Sequence, residues 1–269
     1  MMKVSNSKLI LPGILLTLLA LLSGCATLPN VKTDEINNRR VEYSLIRNGS
    51  ATVVFENGLD GKMNWWRKVI PEISKDAATF AYNRPGYGRS DSVSTPRDGL
   101  NIVEELRALL KSEGLEPPYV LVGHSFGGLL MQFFARKYPA EVRALVLVDS
   151  THPAQFKGRG SPENWPAWFR LLFRLYLSPS AKEEMVLINS TGEQVLALPV
   201  FSGKHVIVLS ALKPMDAKGE LADDANEKRK DIAMLYPGSR QVWVDSGHGI
   251  PLEKPEDVIA AIRQVLPVK

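Results

Sequence analysis

The chain has 269 residues, 45% hydrophobic and 23% charged, an ordinary globular composition with enough length to bury the core of one sizeable domain. Its formal charge is +4, and only +2 (31 basic against 29 acidic residues) once Lys3 and Lys8 of the N-terminal segment are set aside, which argues against nucleic acid or a polybasic membrane contact. The single cysteine, Cys25, excludes an intrachain disulfide.

Lys3 and Lys8 precede an apolar run over residues 9–22, and Leu22-Ser23-Gly24-Cys25 then sets small residues before the cysteine. The segment resembles a bacterial lipoprotein signal with its lipobox. That resemblance implies a signal peptide of residues 1–24 that is removed, a Cys25 that is acylated, and a stable anchor of two or more acyl chains. A plain signal peptide and a retained transmembrane anchor are the alternatives, although the apolar run is short for a span. Ala26 after the cysteine, where Asp would resemble an inner-membrane retention mark, points to the outer membrane, facing the periplasm. Residues 25–40 are polar and carry Pro29, Asn30 and Asn37-Asn38. They read as a lipidated tether rather than a strand, letting the domain stand off the lipid.

From Val41 onward short apolar stretches alternate with helical ones, the pattern of a mostly parallel sheet covered by helices on both faces. Strands are expected over residues 41–46, 51–55, 80–82, 119–122, 143–149, 205–210 and 241–244. Helices are expected over residues 65–74, broken or kinked by Pro71, and over 101–113, 128–137, 223–236 and 255–266. The roughly 55 residues between the strands at 149 and 205 far exceed what a crossover needs. Within this insertion, about residues 152–204, Trp165, Trp168, Phe169, Leu172, Phe173 and Tyr176 recur at three- and four-residue steps, as an amphipathic helix would place them. These aromatics either form the insertion's own core or line a substrate pocket, with Trp168 and Phe173 as the candidate substrate-binding residues.

The apolar run Tyr119-Val120-Leu121-Val122 feeds into Gly123-His124-Ser125-Phe126-Gly127, and a helical stretch leaves it. Strand, sharp turn and helix in that order describe a nucleophile elbow. Its glycines relieve collisions, its serine sits in a strained backbone conformation, and the N–H of Phe126 lies where an oxyanion would form. A serine hydroxyl needs a base to take its proton and a third group to orient that base. His248, between Gly247 and Gly249 after the last strand, is the best base. His124 is beside the nucleophile, His205 opens a strand, and His152 follows Asp149 too closely. No two histidines have metal-ligand spacing, so neither a metal nor a cofactor is expected.

These landmarks resemble the α/β-hydrolase superfamily from about residue 41 to the end. Val53-Val54-Phe55-Glu56-Asn57-Gly58-Leu59 is similar to its strand and oxyanion loop, with Asn57-Gly58 where His-Gly is usual. Phe80-Ala81-Tyr82-Asn83-Arg84-Pro85-Gly86-Tyr87-Gly88-Arg89-Ser90 resembles the next strand and Gly-rich turn, with Asn83 where Asp is commoner. Ser246-Gly247-His248-Gly249-Ile250-Pro251 is similar to the late catalytic-His turn. The resemblance implies an α/β fold with a mostly parallel sheet and a small helical cap formed by the insertion. It also implies a serine hydrolase that cleaves carboxylic esters through an acyl-enzyme, with Leu59 joining Phe126 in the oxyanion hole. The family places its acid after the sixth or seventh core strand, which leaves Asp149, the preferred one, and Asp216 open; Asp245 reads as its strand's own end. An acyltransferase, a cofactor-free perhydrolase and a non-catalytic binding lipoprotein are the competing readings. The expected partners are a small-molecule ester and, through the anchor, a membrane.

Overall fold

The structure, a computed structural model, describes residues 27–202, 204–213 and 219–267. The signal segment, Cys25 and Asp216 therefore lie outside the described residues. Eight strands form one sheet: β1 (Val31–Ile36), β2 (Arg39–Ile46), β3 (Thr52–Glu56), β4 (Ala78–Tyr82), β5 (Tyr119–His124), β6 (Val142–Val148), β7 (His205–Ala211) and β8 (Arg240–Val244), in the order β1-β2-β4-β3-β5-β6-β7-β8. Strands β3 to β8 run parallel, whereas β2 is antiparallel to both β1 and β4. The central strands β3 and β5 are buried along their whole length, which is why their sequence is a continuous apolar run.

The helices are α1 (Ile70–Ile73), α2 (Gly99–Ser112), α3 (Phe126–Lys137), α4 (Ala167–Tyr176), α5 (Pro179–Ala197), α6 (Glu220–Asp231), α7 (Ile250–Glu253) and α8 (Pro255–Val265). Alternation along the strands divides the core in two. Leu121, Leu145 and Leu147 face α2, α3 and the Ile188 and Val195 side chains of α5. Val120, Val122 and Val146 face Trp66, Ile70 and the Val258 and Ile262 side chains of α8. Two cap helices, α4 and α5, lie in the insertion between β6 and β7, and α5 packs on α2 and α3.

The reading of residues 25–40 as a tether fails from Leu28 onward. Leu28 is buried in the α8-side core, and the Ser44 hydroxyl donates to the Pro29 carbonyl at 2.6 Å. Residues 31–36 are an edge strand whose register closes with Ile36 opposite Arg39. Asn37 and Asn38, at φ 53° and 60°, form the two-residue turn of a hairpin, a left-handed pair that asparagine tolerates. Lys32, Asp34 and Glu35 supply the charge that guards an exposed sheet edge against pairing, and this hid the strand among loop-like residues. Similarly, the helix expected over residues 65–74 is two pieces, a 3₁₀ turn at Met63–Trp66 and α1. Pro71 lies in the first turn of α1, where no N–H is needed, so it starts that helix rather than breaking a longer one.

Leu28 gives a direct check on where the domain begins. Leu28→Ala should lower the unfolding free energy by about 2 kcal/mol in a denaturant titration, as truncation of a core leucine does. A tether residue would leave the midpoint unchanged.

Candidate active site

Ser125 sits at φ 55° and ψ −124°, a left-handed conformation for a residue with a side chain, between the end of β5 and the start of α3. A Cβ on Gly123 would come within 2.5 Å of the Gly127 carbonyl, and one on Gly127 within 2.5 Å of the Asn57 carbonyl. Both positions therefore require glycine. The bend is tied down by backbone hydrogen bonds from the Ser125 N–H to the Val148 carbonyl (3.1 Å) and from the Thr151 N–H to the Ser125 carbonyl (3.0 Å). Phe126 is the first residue of α3, and an N–H at that position has no partner within its own helix.

His248 follows β8, and its Nδ1 meets Asp149 Oδ2 at 2.5 Å. Asp149 directly follows β6, at φ 38°, with a fully buried side chain. Its other oxygen, Oδ1, accepts from Arg229 Nε (3.0 Å) and from the Ala211 N–H at the end of β7 (3.1 Å). Burial alone would push the Asp149 carboxyl up. The His248 hydrogen bond and the Arg229 guanidinium outweigh it and hold the group below its ordinary value. An ionised acid of this kind fixes the imidazole with its proton on Nδ1 and leaves Nε2 free to accept another. Asp245 is instead exposed, paired with Lys213 Nζ at 2.9 Å.

Two further residues enter the site that sequence reasoning missed. Arg229 lies in the charged stretch Glu227-Lys228-Arg229-Lys230-Asp231, where nothing local separates it from a solvated helix face. His124 donates from Nε2 to the His248 carbonyl at 2.8 Å, its ring stacked on Trp65 (centroids 5.0 Å apart) and 4.7 Å from the His248 ring. A carbonyl can only accept, so the proton of His124 sits on Nε2. Burial, reinforced by His248, lowers His124 to about 3, so it stays neutral and holds the His248 loop. The His124 position within the elbow was the available signal.

Ser125, Asp149 and His248 line one cavity of about 270 Å³. Its apolar wall includes Phe156, Trp165, Phe169 and Phe173 from the insertion and Leu221 from α6. Trp165, with its Nε1 donating to the Gly160 carbonyl, contacts Phe169 and Phe173 at 5.1 and 5.0 Å between centroids, so these rings are both the core of the cap and the lining. Phe173 is thus where the helical spacing put it. The expectation for Trp168 is corrected: it is 64% exposed and touches Phe169 from the outer side, because one step along a helix turns a side chain by about 100°. On the other side of Ser125, the Gly58-Leu59 turn approaches so closely that a Cβ on Gly58 would lie 3.2 Å from Ser125 Cβ. Among the described residues, no cluster of three or more His, Cys, Asp or Glu side chains is placed to hold a metal ion.

A family model described as alpha/beta hydrolase fold matches residues 51–246. The chain is 33% identical over 105 residues to the uncharacterized protein YqjL of Bacillus subtilis, covering 38% of this chain and 42% of that one. It spans less than half the length of the curated relatives it first matches. Among solved structures, an alpha/beta hydrolase fold protein from Burkholderia ambifaria aligns with a TM-score of 0.67 at 17% identity, over 88% of this chain and 98% of the other. A thermophilic esterase from Thermogutta terrifontis aligns with a TM-score of 0.62 at 21% identity, over 87% and 97%. At these identities the structural likeness shows the fold.

The buried His124 makes stability depend on pH. Unfolded, it binds a proton near its ordinary value of about 6.5; folded, only near pH 3. The unfolded chain therefore holds the extra proton between those values, so stability rises with pH across that window and is lost on acidification through it. In thermal melts between about pH 4 and pH 6.5, His124→Asn should flatten this dependence. An unchanged slope would place the responsible proton on another group.

Proposed function

The chain belongs to the alpha/beta hydrolase fold family, and from that premise we propose that it is a serine hydrolase cleaving carboxylic esters through an acyl-enzyme. The observation that carries the reading is the 2.5 Å contact between His248 Nδ1 and the buried Asp149 carboxylate beside a left-handed Ser125, all three facing one cavity. Ser125 Oγ attacks the ester carbonyl and passes its proton to His248 Nε2. The tetrahedral oxyanion takes hydrogen bonds from the Phe126 and Leu59 N–H groups, which are set before the charge develops. The leaving alcohol then takes the proton from His248, and water repeats the sequence to release the acid. The aromatic wall of the cavity suits an apolar or aromatic acyl group of modest size.

The same reading makes Ser125, His248 and Asp149 unequal under substitution. Ser125→Ala should abolish both ester turnover and labelling by a fluorophosphonate while the protein still folds. Asp149→Asn should cut turnover by up to ~10⁴-fold, since the wrong imidazole tautomer is then held. A short p-nitrophenyl ester turned over at near wild-type rate by either purified variant would sink the proposal.

We also propose that Cys25 is acylated and holds the domain at the outer membrane, on the strength of the lipobox sequence. With Leu28 buried, the three residues from Cys25 span at most about 11 Å, so the domain sits against the lipid rather than standing off it. Cys25→Ser should therefore move the protein out of the membrane fraction and stop palmitate incorporation without altering turnover of a water-soluble ester. Continued membrane association with unchanged mobility would refute the anchor.

A further inference from the structure

Three of the most deeply buried charged side chains among the described residues lie outside the residues that perform the chemistry. Arg84, just past β4, is 1% exposed, and its two acidic partners, Glu56 at the end of β3 and Glu184 on cap helix α5, are 0% exposed. The guanidinium makes five hydrogen bonds. Nε and Nη2 grip Glu184 at 2.7 and 2.9 Å, Nη1 donates to Glu56 Oε1 (2.7 Å) and to the Asn57 carbonyl (2.7 Å), and Nη2 also donates to the Gly58 carbonyl (2.9 Å). The same group lies 5.5 Å from the ring centroid of Phe126.

Burying a cation between two carboxylates costs several kcal/mol of hydration per ion, and well-packed apolar side chains would join these elements about as firmly. What an apolar side chain cannot do is draw two successive carbonyls to one side. In a trans peptide the C=O and the following N–H point in opposite directions. With the Gly58 carbonyl held on Arg84, the Leu59 N–H is turned the other way, and a flipped peptide would turn the Gly58 carbonyl that way instead.

We propose that Arg84, gripped by Glu184 of the cap, is a positioning residue that fixes the Gly58-Leu59 peptide with its N–H toward the oxyanion and so makes formation of the oxyanion hole depend on seating of cap helix α5. The proposal rests on the serine-hydrolase reading. Lysine cannot replace the arginine here, because an ammonium is a point donor and cannot span acceptors on four residues.

The test uses Arg84→Lys and Glu184→Gln, which keep the buried volume close to that of the native protein, with a short p-nitrophenyl ester and a trifluoromethyl ketone that adds to the serine as a tetrahedral analogue. For each variant, kcat should fall about 10- to 100-fold, since losing an oxyanion donor outright costs 10²- to 10³-fold. KM should change by less than about threefold, and the acid limb of the pH profile should stay in place, since His248 is untouched. Affinity for the ketone should fall in the same ratio as kcat/KM, while binding of the corresponding alcohol, which forms no oxyanion, should not change. A folded variant with near wild-type kcat overturns the proposal, as does a fall in kcat without a matching loss of ketone affinity. If Arg84→Lys fails to fold, Glu184→Gln alone decides. A wild-type protein that binds neither the ketone nor a fluorophosphonate overturns the serine-hydrolase reading together with the proposal, whereas a wild type that binds both and a variant that behaves like it overturn the proposal alone.

Discussion

The carboxylate of Asp149 is the constraint on which the mouth of the sheet depends. A fully buried negative charge is tolerable only when donors replace its water, and here they come from three separate elements: the loop after β8, helix α6 and the end of β7. Each hydrogen bond therefore fixes the position of one segment relative to β6. The dependence runs both ways, because among the described residues Arg229 Nη1 is buried without an acceptor and the Nε contact to Asp149 is what compensates the guanidinium. Loss of the carboxylate would uncover a buried cation as well as free His248.

Two residues with side chains adopt left-handed backbone conformations at neighbouring strand ends, Ser125 and Asp149. Each such conformation costs on the order of 1–3 kcal/mol and persists only where surrounding bonds over-determine it. The bonds are present: the Ser125 N–H reaches the Val148 carbonyl, and the Asp149 N–H reaches the Leu209 carbonyl. Strand β6 thus braces the serine, β7 braces the acid, and the strain in both is held by the register of the sheet. A βα turn without a chemical task would have no reason to keep that strain.

How much of this was legible from sequence follows from where each residue's partners lie. The central strands could be read because burial on both faces makes them uninterrupted apolar runs, and the elbow because its glycines and serine are contiguous. The edge strand β1 is hidden because a half-exposed edge is polar by necessity, and Asn37-Asn38, a hairpin turn, has the same composition as an open loop. Asp149 and Asp216 could not be separated by spacing, because the His248 contact bridges 99 positions. Arg229 and Arg84 act on groups 80 and up to 100 positions away, so nothing local marked them, whereas His124, whose partner lies 124 positions away, was marked only by its place in the elbow. Trp168 and Phe173 differ only in helical phase, which periodicity resolves no better than about one residue.

The two cap helices hold the body in different ways, and on the proposed reading this separates two tasks. Helix α5 is tied in by polar contacts that reach fixed backbone: Glu184 grips Arg84, and the Gly99 N–H donates to Thr191 Oγ1 at 2.9 Å. Gly192 lies so close to the Pro153 carbonyl that a Cβ there would stand 1.9 Å from it, leaving no room for a shift on that side. Helix α4 carries the aromatic wall on its inner face, while Trp168, Leu171 and Leu175 are exposed on its outer one. Substitutions on α4 can therefore reshape the acyl wall while the oxyanion loop keeps its support, whereas a displacement of α5 pulls on Arg84 and reaches the Gly58-Leu59 peptide directly. Selectivity and rate would then be adjustable on different helices of one small insertion, with the polar clamp as the boundary between them.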